Sequence, residues 1–366
     1  MDEITFIKYH FNKTGGLEKY SKKIIEYFLK KKFKINIITT SDFDFSNNFI
    51  KIYRYKPKFI SFINILLFDF FIKKTIRQNN LKNIFSLDRS SIFNYTRLGN
   101  GVHRAFLDKK KLFESFFKSF LNKINPLHLI LKKIEKDGFY NKKVKKIIVN
   151  SKMVKNELME YYKIDNAKIE VIFNGVDFIN HSVDMDRKNF LKENNLDDKY
   201  TFLFIGNGYK RKGLDLLLKA ISTIDRDFNL LIVGKEKKIN FYKKLVKKLK
   251  LEEKVKFFNH SDTIYKFYNS SHILVLPTFY DPFANVTLEA ISTGIKVITT
   301  KYNGASEIIN EKNGYILENL SDINKFREIL LKVMEEKNEK NEIIDSIAHL
   351  TFENQLKKLI DVVEDA

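Results

Sequence analysis

Two stretches of this 366-residue chain place charged side chains where a phosphorylated ligand can be gripped. The first reads G-N-G-Y-K-R-K-G, Gly206 to Gly213, between the apolar run Thr201–Ile205 and the segment Leu214-Asp215-Leu216. Glycines that leave a strand and enter a helix expose unpaired N–H groups and the positive end of the helix dipole, which suits a phosphate. Arg211 and Lys212 add fixed charge, the arginine with a fork that matches phosphate oxygens. The spacing is not that of a Walker loop, G-x-x-x-x-G-K-[ST]. A solvated basic turn in a lysine-rich chain reads the same way, so this loop needs its partner.

The partner is P-T-F-Y-D-P-F-A-N-V-T-L-E-A-I-S-T-G, Pro277 to Gly294. Asp281 and Glu289 flank a short turn at Pro282-Phe283-Ala284-Asn285 that opens a helix. The amides of Asn285, Val286 and Thr287 are expected at the cleft side of that helix, with Arg211 and Lys212. Glu289, one turn in, can accept two hydrogen bonds from ribose hydroxyls. Asp281, ahead of the turn, can hold a transferred sugar. Helices often carry acids near their start for dipole reasons alone; the combination in one loop is what singles this one out.

The elements that must position these loops are legible as strand and helix patterns. Residues 4–9 form a strand, Lys13-Thr14-Gly15-Gly16 a loop, and Tyr20, Ile24, Ile25 and Phe28 recur at helical spacing before a buried strand at 35–39. This order means a parallel sheet in a doubly wound α/β domain. Further strands are expected at 146–150 and 169–173. After a polar stretch, Asp177 to Lys199, they resume at 201–205, 229–233, 255–258, 273–276 and 296–299. The fold class is therefore α/β, two Rossmann-like doubly wound domains facing a cleft. The expected division is residues 1–178, residues 179–350, and a closing helix in residues 351–366. Ligands of such sheets bind beyond the carboxyl ends of the strands.

The segment Asp281 to Gly294 resembles the E-x-F-G-x-x-x-x-E-A-x-x-x-G signature of family 4 glycosyltransferases, which have the GT-B fold. Gly206–Gly213 resembles that family's donor-diphosphate loop, closest to its lipopolysaccharide-core glucosyltransferase branch. V-I-F-N-G-V-D (Val171–Asp177), T-G-G-L-E (Thr14–Glu18) and R-L-G-N-G-V-H-R-A-F-L (Arg97–Leu107) match as well. The resemblance implies a retaining hexosyltransferase that uses a nucleotide-sugar, most plausibly of the UDP-glucose or UDP-GlcNAc type. The implied acceptor is a membrane-associated glycan such as lipopolysaccharide core or another cell-surface glycan. It implies Arg211, Lys212, Asp281 and His103 at the reacting centre, His103 as a contact to the donor sugar rather than a base. Gly15, Gly16, Asn285, Val286, Thr287 and Glu289 are implied around the donor. Two departures, Asp281 for the first glutamate and Ala284 for the usual glycine, fall where the sugar would lie and leave its identity open.

No metal ligand and no cofactor is expected. No His/Asp/Glu cluster has zinc-type spacing. The D-x-D triplets at Asp42–Asp44 and Asp184–Asp186 fall away from the donor loops, so chance is the better account of them. Arg211 and Lys212 are expected to stabilise the departing diphosphate in a metal's place. If Glu289 holds the ribose, a two-carboxylate glycosidase scheme does not fit, and a front-face displacement is favoured. A UDP-sugar epimerase of the same fold is the nearest alternative. A nucleic-acid-binding protein is a second, although the basic residues form no motif with interleaved stacking aromatics.

Charge is uneven along the chain: residues 1–180 carry 36 Lys+Arg against 17 Asp+Glu, and residues 181–366 the remaining 30 against 28. An excess confined to one half points to an anionic surface or ligand there. The chain has no cysteine, which removes disulfide and thiolate-metal scaffolds. The longest apolar stretch, Phe59 to Ile72, is too short to span a bilayer and contains Asp69. In Arg104–Lys133, Phe106, Phe113, Phe116, Phe117, Phe120 and Leu121 recur at three- and four-residue steps, opposite Lys109, Lys110, Lys111 and Lys118. An interfacial membrane helix has this layout, and so has a core-facing helix with a solvated lysine face. The expected location is cytoplasmic, peripheral at the inner face of the cytoplasmic membrane. The expected partners are a nucleotide-sugar donor, a glycan or glycolipid acceptor and an anionic membrane surface, without nucleic acid.

Overall fold

The computed structural model describes residues 2–11, 16–41, 47–178, 187–259 and 263–365. Gly15 of the T-G-G-L-E loop and both D-x-D triplets lie outside the described residues. The chain divides into two compact units, residues 1–173 with 353–366, and residues 174–352.

The first unit runs β1 (Glu3–Ile7), α1 (Gly16–Lys30), β2 (Lys34–Thr39), β3 (Ile50–Arg54), α2 (Ser61–Gln78), β4 (Ile84–Ser86) and β5 (Tyr95–Arg97). Three short helices follow, α3 (His103–Lys110), α4 (Phe116–Ile124) and α5 (Pro126–Phe139), then β6 (Lys146–Val149), α6 (Lys152–Tyr162) and β7 (Ile169–Val171). Its seven strands lie in the order β3-β2-β1-β4-β5-β6-β7, every pair parallel. Apolar runs such as Ile4–Ile7 and Ile35–Ile38 are buried because helices cover both faces of a parallel sheet.

The second unit holds α7 (Arg187–Glu193), β8 (Tyr200–Ile205), α8 (Leu214–Ile221), β9 (Phe228–Val233), α9 (Ile239–Lys248), β10 (Val255–Phe258), α10 (Tyr265–Asn269) and β11 (Ile273–Leu276). It continues with α11 (Asn285–Ser292), β12 (Lys296–Thr300), β13 (Gly314–Leu317), α12 (Ile323–Glu335) and α13 (Lys340–Asp345); α14 (Phe352–Glu364) returns the chain to the first unit. The strand order is β10-β9-β8-β11-β12-β13, the classic dinucleotide-binding order with its switch point between β8 and β11. At that reversal the crossovers depart to opposite faces, so the loops after Ile205 and Leu276 are left side by side. The two charged stretches of the sequence are those loops.

The structure corrects the reading of Arg104–Lys133 as one amphipathic helix. Residues 111–115 break it, and a second stop follows at Asn125. The Asn125 side chain accepts the Leu127 N–H and caps α5, whose first residue is Pro126. Proline at the first position of a helix costs nothing there but cannot continue α4. The apolar stretch Phe59–Ile72 lies largely in α2, where Phe68 and Ile72 face the core while Leu66 and Phe70 are exposed. Asp69 is buried because it is satisfied: its carboxylate accepts the Ser91 N–H at 2.8 Å and the Ser91 hydroxyl at 2.6 Å, with Lys73 3.0 Å away. Among the described residues no helix is long and apolar enough to cross a membrane.

Candidate active site

The loop after β8 is built around Tyr209. Its ring is fully buried, its hydroxyl donates to Gly234 O at 3.0 Å, and its N–H donates to the Glu236 carboxylate at 2.8 Å. From this anchor the chain turns through Lys210 to Gly213, which has φ +78° and starts α8. The Arg211 carbonyl accepts the Phe279 N–H at 2.9 Å and the Thr278 hydroxyl at 3.1 Å, so the two loops are stitched together by backbone. Gly213 is part of that contact: a Cβ there would lie 2.0 Å from Pro277 O.

The stitching brings Arg211 and Lys212 onto one carboxylate. Lys212 Nζ is 2.7 Å from Asp281 Oδ2, and Arg211 Nη1 is 2.8 Å from the same oxygen and 2.7 Å from Tyr280 O. The second Asp281 oxygen accepts the Phe283 N–H at 3.2 Å. Lys212 is almost wholly buried, and Arg211 about a third exposed. Burial alone would raise the Asp281 pKa, but Lys212 and Arg211 outweigh it and hold the carboxyl at about 2. The resulting stability, ~2 kcal/mol, is complete above its ordinary 3.8 and is lost as the pH falls through about 2. Burial lowers the Lys212 pKa, Asp281 raises it again, and Arg211 adds to the lowering. Two close cations with one carboxylate between them leave excess positive charge, which an anionic ligand would relieve.

The turn before α11 is held by a residue that the sequence reading missed. Asn303 is fully buried; its Oδ1 accepts the N–H groups of Ala284 (3.0 Å) and Ala305 (3.1 Å). Its Nδ2 donates to the hydroxyls of Thr287 (3.1 Å) and Thr299 (3.0 Å). The Asn303-Gly304 dipeptide after a strand is the signal for such a turn. The Thr287 N–H already donates to Ala284 O at 2.9 Å, which leaves the Asn285 and Val286 amides at the helix start. The Asn285 side chain accepts from Asn174 of the N-G-V-D motif. Glu289 Oε2 accepts the Tyr268 hydroxyl at 2.8 Å, and burial, then Glu289, pushes that phenol's pKa well above its ordinary 10. Tyr268 and Asn174 were also missed.

The remaining candidates lie in the first unit. Gly16 opens α1. His103 opens α3, buried, with Nε2 3.1 Å from His128 Nδ1 and its N–H donated to the Glu135 carboxylate at 3.0 Å. Glu135 also takes the Tyr162 hydroxyl and the Arg89 guanidinium. Burial, then Arg89 and His128, drives the His103 pKa down to about 3, so the ring is neutral at physiological pH. Lys110 pairs with Glu114 at 3.4 Å and Lys111 with Asp108 at 2.6 Å. Phe113 is half-buried and Phe117 exposed; the side chains of Phe116 and Phe120 lie outside what is described. Among the described residues no group of three or more His, Asp or Glu is arranged to hold a metal ion.

Residues 14–178 match the family model described as Glycosyltransferase Family 4, and residues 186–350 match Glycosyl transferases group 1. A curated relative is the Campylobacter jejuni N-acetylgalactosamine-N,N'-diacetylbacillosaminyl-diphospho-undecaprenol 4-alpha-N-acetylgalactosaminyltransferase, 26% identical over 52% of this chain and 51% of that protein. The chain spans about half the length of the first curated relatives it matches. Among solved structures, WaaG, a glycosyltransferase involved in lipopolysaccharide biosynthesis, superposes with a TM-score of 0.77 at 15% identity, over 99% of this chain and 98% of that one. Anabaena HepE in complex with UDP-glucose superposes at 0.70 with 14% identity, over the whole of both chains. At these identities the likeness is one of fold.

Proposed function

The chain belongs to the family 4 glycosyltransferases, and from that premise we propose that it is a retaining transferase, moving a hexose from a UDP-sugar to a membrane-associated glycan. The observation that carries this reading is the Arg211–Lys212 pair, held by Asp281 beside the start of α11 at the switch point of the sheet. The donor diphosphate takes its place on these two cations and on the Asn285 and Val286 amides. Asp281 keeps the cations in register. The bond from the anomeric carbon to the phosphate oxygen breaks as the acceptor oxygen bonds to the same face of that carbon, and the acceptor proton passes to the leaving phosphate. Orientation and electrostatics then supply most of the rate. HepE was solved with UDP-glucose, which supports a uridine donor.

Thermal-shift measurements with UDP-, GDP- and ADP-hexoses test the reading, since only a bound donor raises Tm by mass action. A UDP-hexose is expected to raise it, and Glu289→Gln to shrink that rise, because an amide accepts ribose hydroxyl protons less well than a carboxylate. An undiminished rise in the variant would remove Glu289 from the nucleotide site.

Metal independence is the second expectation. Turnover should persist in excess EDTA, because Arg211 and Lys212 neutralise the leaving group. Loss on chelation with recovery on manganese or magnesium would overturn the assignment.

Attachment to the inner face of the membrane belongs to the first unit. Exposed Phe117, Leu121 and Ile124 share one side of α4, with the exposed Lys118 beside them. Each lysine near an anionic bilayer contributes about 1 kcal/mol. The protein is expected to sediment with phosphatidylglycerol vesicles, and not with phosphatidylcholine alone. Changing Phe117 and Leu121 together to Asp should release it; sedimentation equal to the parent's would show that α4 is not the anchor.

A further inference from the structure

Behind α4, on the side away from Phe117, Leu121 and Ile124, lies a cavity of about 310 Å³ lined by Arg104, Leu107, Asp108, Lys111, Ser119, Asn122, Lys123 and Lys132. Four cations face one carboxylate, and that carboxylate is already spent. Asp108 takes Lys111 at 2.6 Å on one oxygen and the Tyr161 hydroxyl at 2.8 Å on the other. Lys123 and Lys132 have no ion-pair partner among the described residues, and the Arg104 guanidinium donates only to a backbone carbonyl, that of Tyr161. The Ser119 hydroxyl is buried with no hydrogen-bond partner, a costly arrangement unless something else accepts from it.

We propose that this pocket binds a phosphate mono- or diester, with Lys123, Lys132 and Arg104 neutralising it and Ser119 donating to one of its oxygens. A phosphoryl group supplies several acceptor oxygens and the negative charge that three unneutralised cations call for. The exposed apolar side chains of α4 lie on the opposite side of the helix, about 160° around by the 100° step per residue. A bilayer against that side does not reach the pocket, so the phosphoryl group belongs to an acceptor head group that extends past α4. That assignment of the source rests on the transferase reading above, whereas the phosphate chemistry of the pocket does not.

Calorimetric titration with inorganic phosphate, on the parent, Lys123→Glu/Lys132→Glu and Arg211→Ala, tests the site at constant ionic strength. The parent and Arg211→Ala should keep a common phosphate site, and the double variant should weaken it at least tenfold, about 1.4 kcal/mol or more. Phosphate affinity unchanged in the double variant, or lost only in Arg211→Ala, would overturn the proposal. Should the double variant not fold, Lys132→Gln with Ser119→Ala serves in its place, with the same readout. Sedimentation with phosphatidylglycerol vesicles separates the sources. Binding that survives saturating phosphate supports a head group, and binding displaced by phosphate means that the pocket takes bilayer phospholipid instead. UDP-induced stabilisation of the double variant is the control: its absence from parent and variant alike counts against the transferase reading and leaves the phosphate result standing.

Discussion

Replacing Lys212 with Ala should lower turnover by two to three orders of magnitude, about 3–4 kcal/mol of transition-state stabilisation, with Arg211→Ala close behind. Both cations sit within 2.8 Å of one Asp281 oxygen, so in the free protein their charge is only half balanced. When a diphosphate leaves, negative charge grows on its oxygens, and a buried ammonium placed beforehand stabilises it without reorganisation. The size of the effect follows from burial: Lys212 has 9% of its side chain exposed and Arg211 30%, so water screens the lysine less. The fold should survive, because Lys212→Ala leaves Asp281 paired with Arg211. Steady-state kinetics check this, with Tm as the folding control. Turnover within about threefold of the parent, under ~1 kcal/mol, would take the pair out of the mechanism.

Gly213→Ala should damage both stability and turnover, and Gly208→Ala is its internal comparison. Both glycines have left-handed backbone, φ +78° and +71°, but an added Cβ meets Pro277 O at 2.0 Å in one case and nothing within 4 Å in the other. Left-handed φ alone costs a side chain about 1–2 kcal/mol. Gly208→Ala should therefore lower Tm by a few degrees and leave turnover near the parent's. Gly213→Ala must also push apart the loops after β8 and β11, moving Arg211 and Lys212 away from the start of α11. It should lose ~2 kcal/mol more than Gly208→Ala and most of its turnover. Equal Tm values and equal turnover for the two variants would mean that the loop contact positions nothing.

Much of the second unit was readable because its strands are short, mostly apolar runs, two of which, β8 and β9, end directly at a glycine. The expected strand limits at Val255–Phe258 and Ile273–Leu276 and the helix start at Leu214 coincide with those of the structure, and the turn expected at residues 282–285 leads into α11, whose first residue is Asn285. The strands missed were β3, β4, β5 and β13. Two of them are three residues long, and β3 is an edge strand whose residues are only partly buried. Burial rather than periodicity makes the two short strands, and pairing with β2 makes β3. The single helix expected over Arg104–Lys133 failed because apolar spacing carried on through two breaks, one at residues 111–115 and one that capping by Asn125 and the proline at 126 enforce. At the site, charged residues were legible from type and spacing. Asn303 carried only the signal of an Asn-Gly turn, Asn174 only its place in the Val171–Asp177 motif, and Tyr268 none, since its bond to Glu289 is set by packing rather than by spacing. The ion pairs of Asp281 were equally hidden: a sequence places Asp281 and Lys212 in neighbouring loops but not 2.7 Å apart.

Sugar transfer itself is tested most directly by incubating the protein with radiolabelled UDP-glucose or UDP-GlcNAc and bacterial membranes, and following label and nucleotide together. The expected result is UDP release matched one for one by label entering lipid-extractable material, with the α-configuration at the new glycosidic carbon by NMR. An epimerised sugar nucleotide formed without membranes, or a β-linked product, would contradict it.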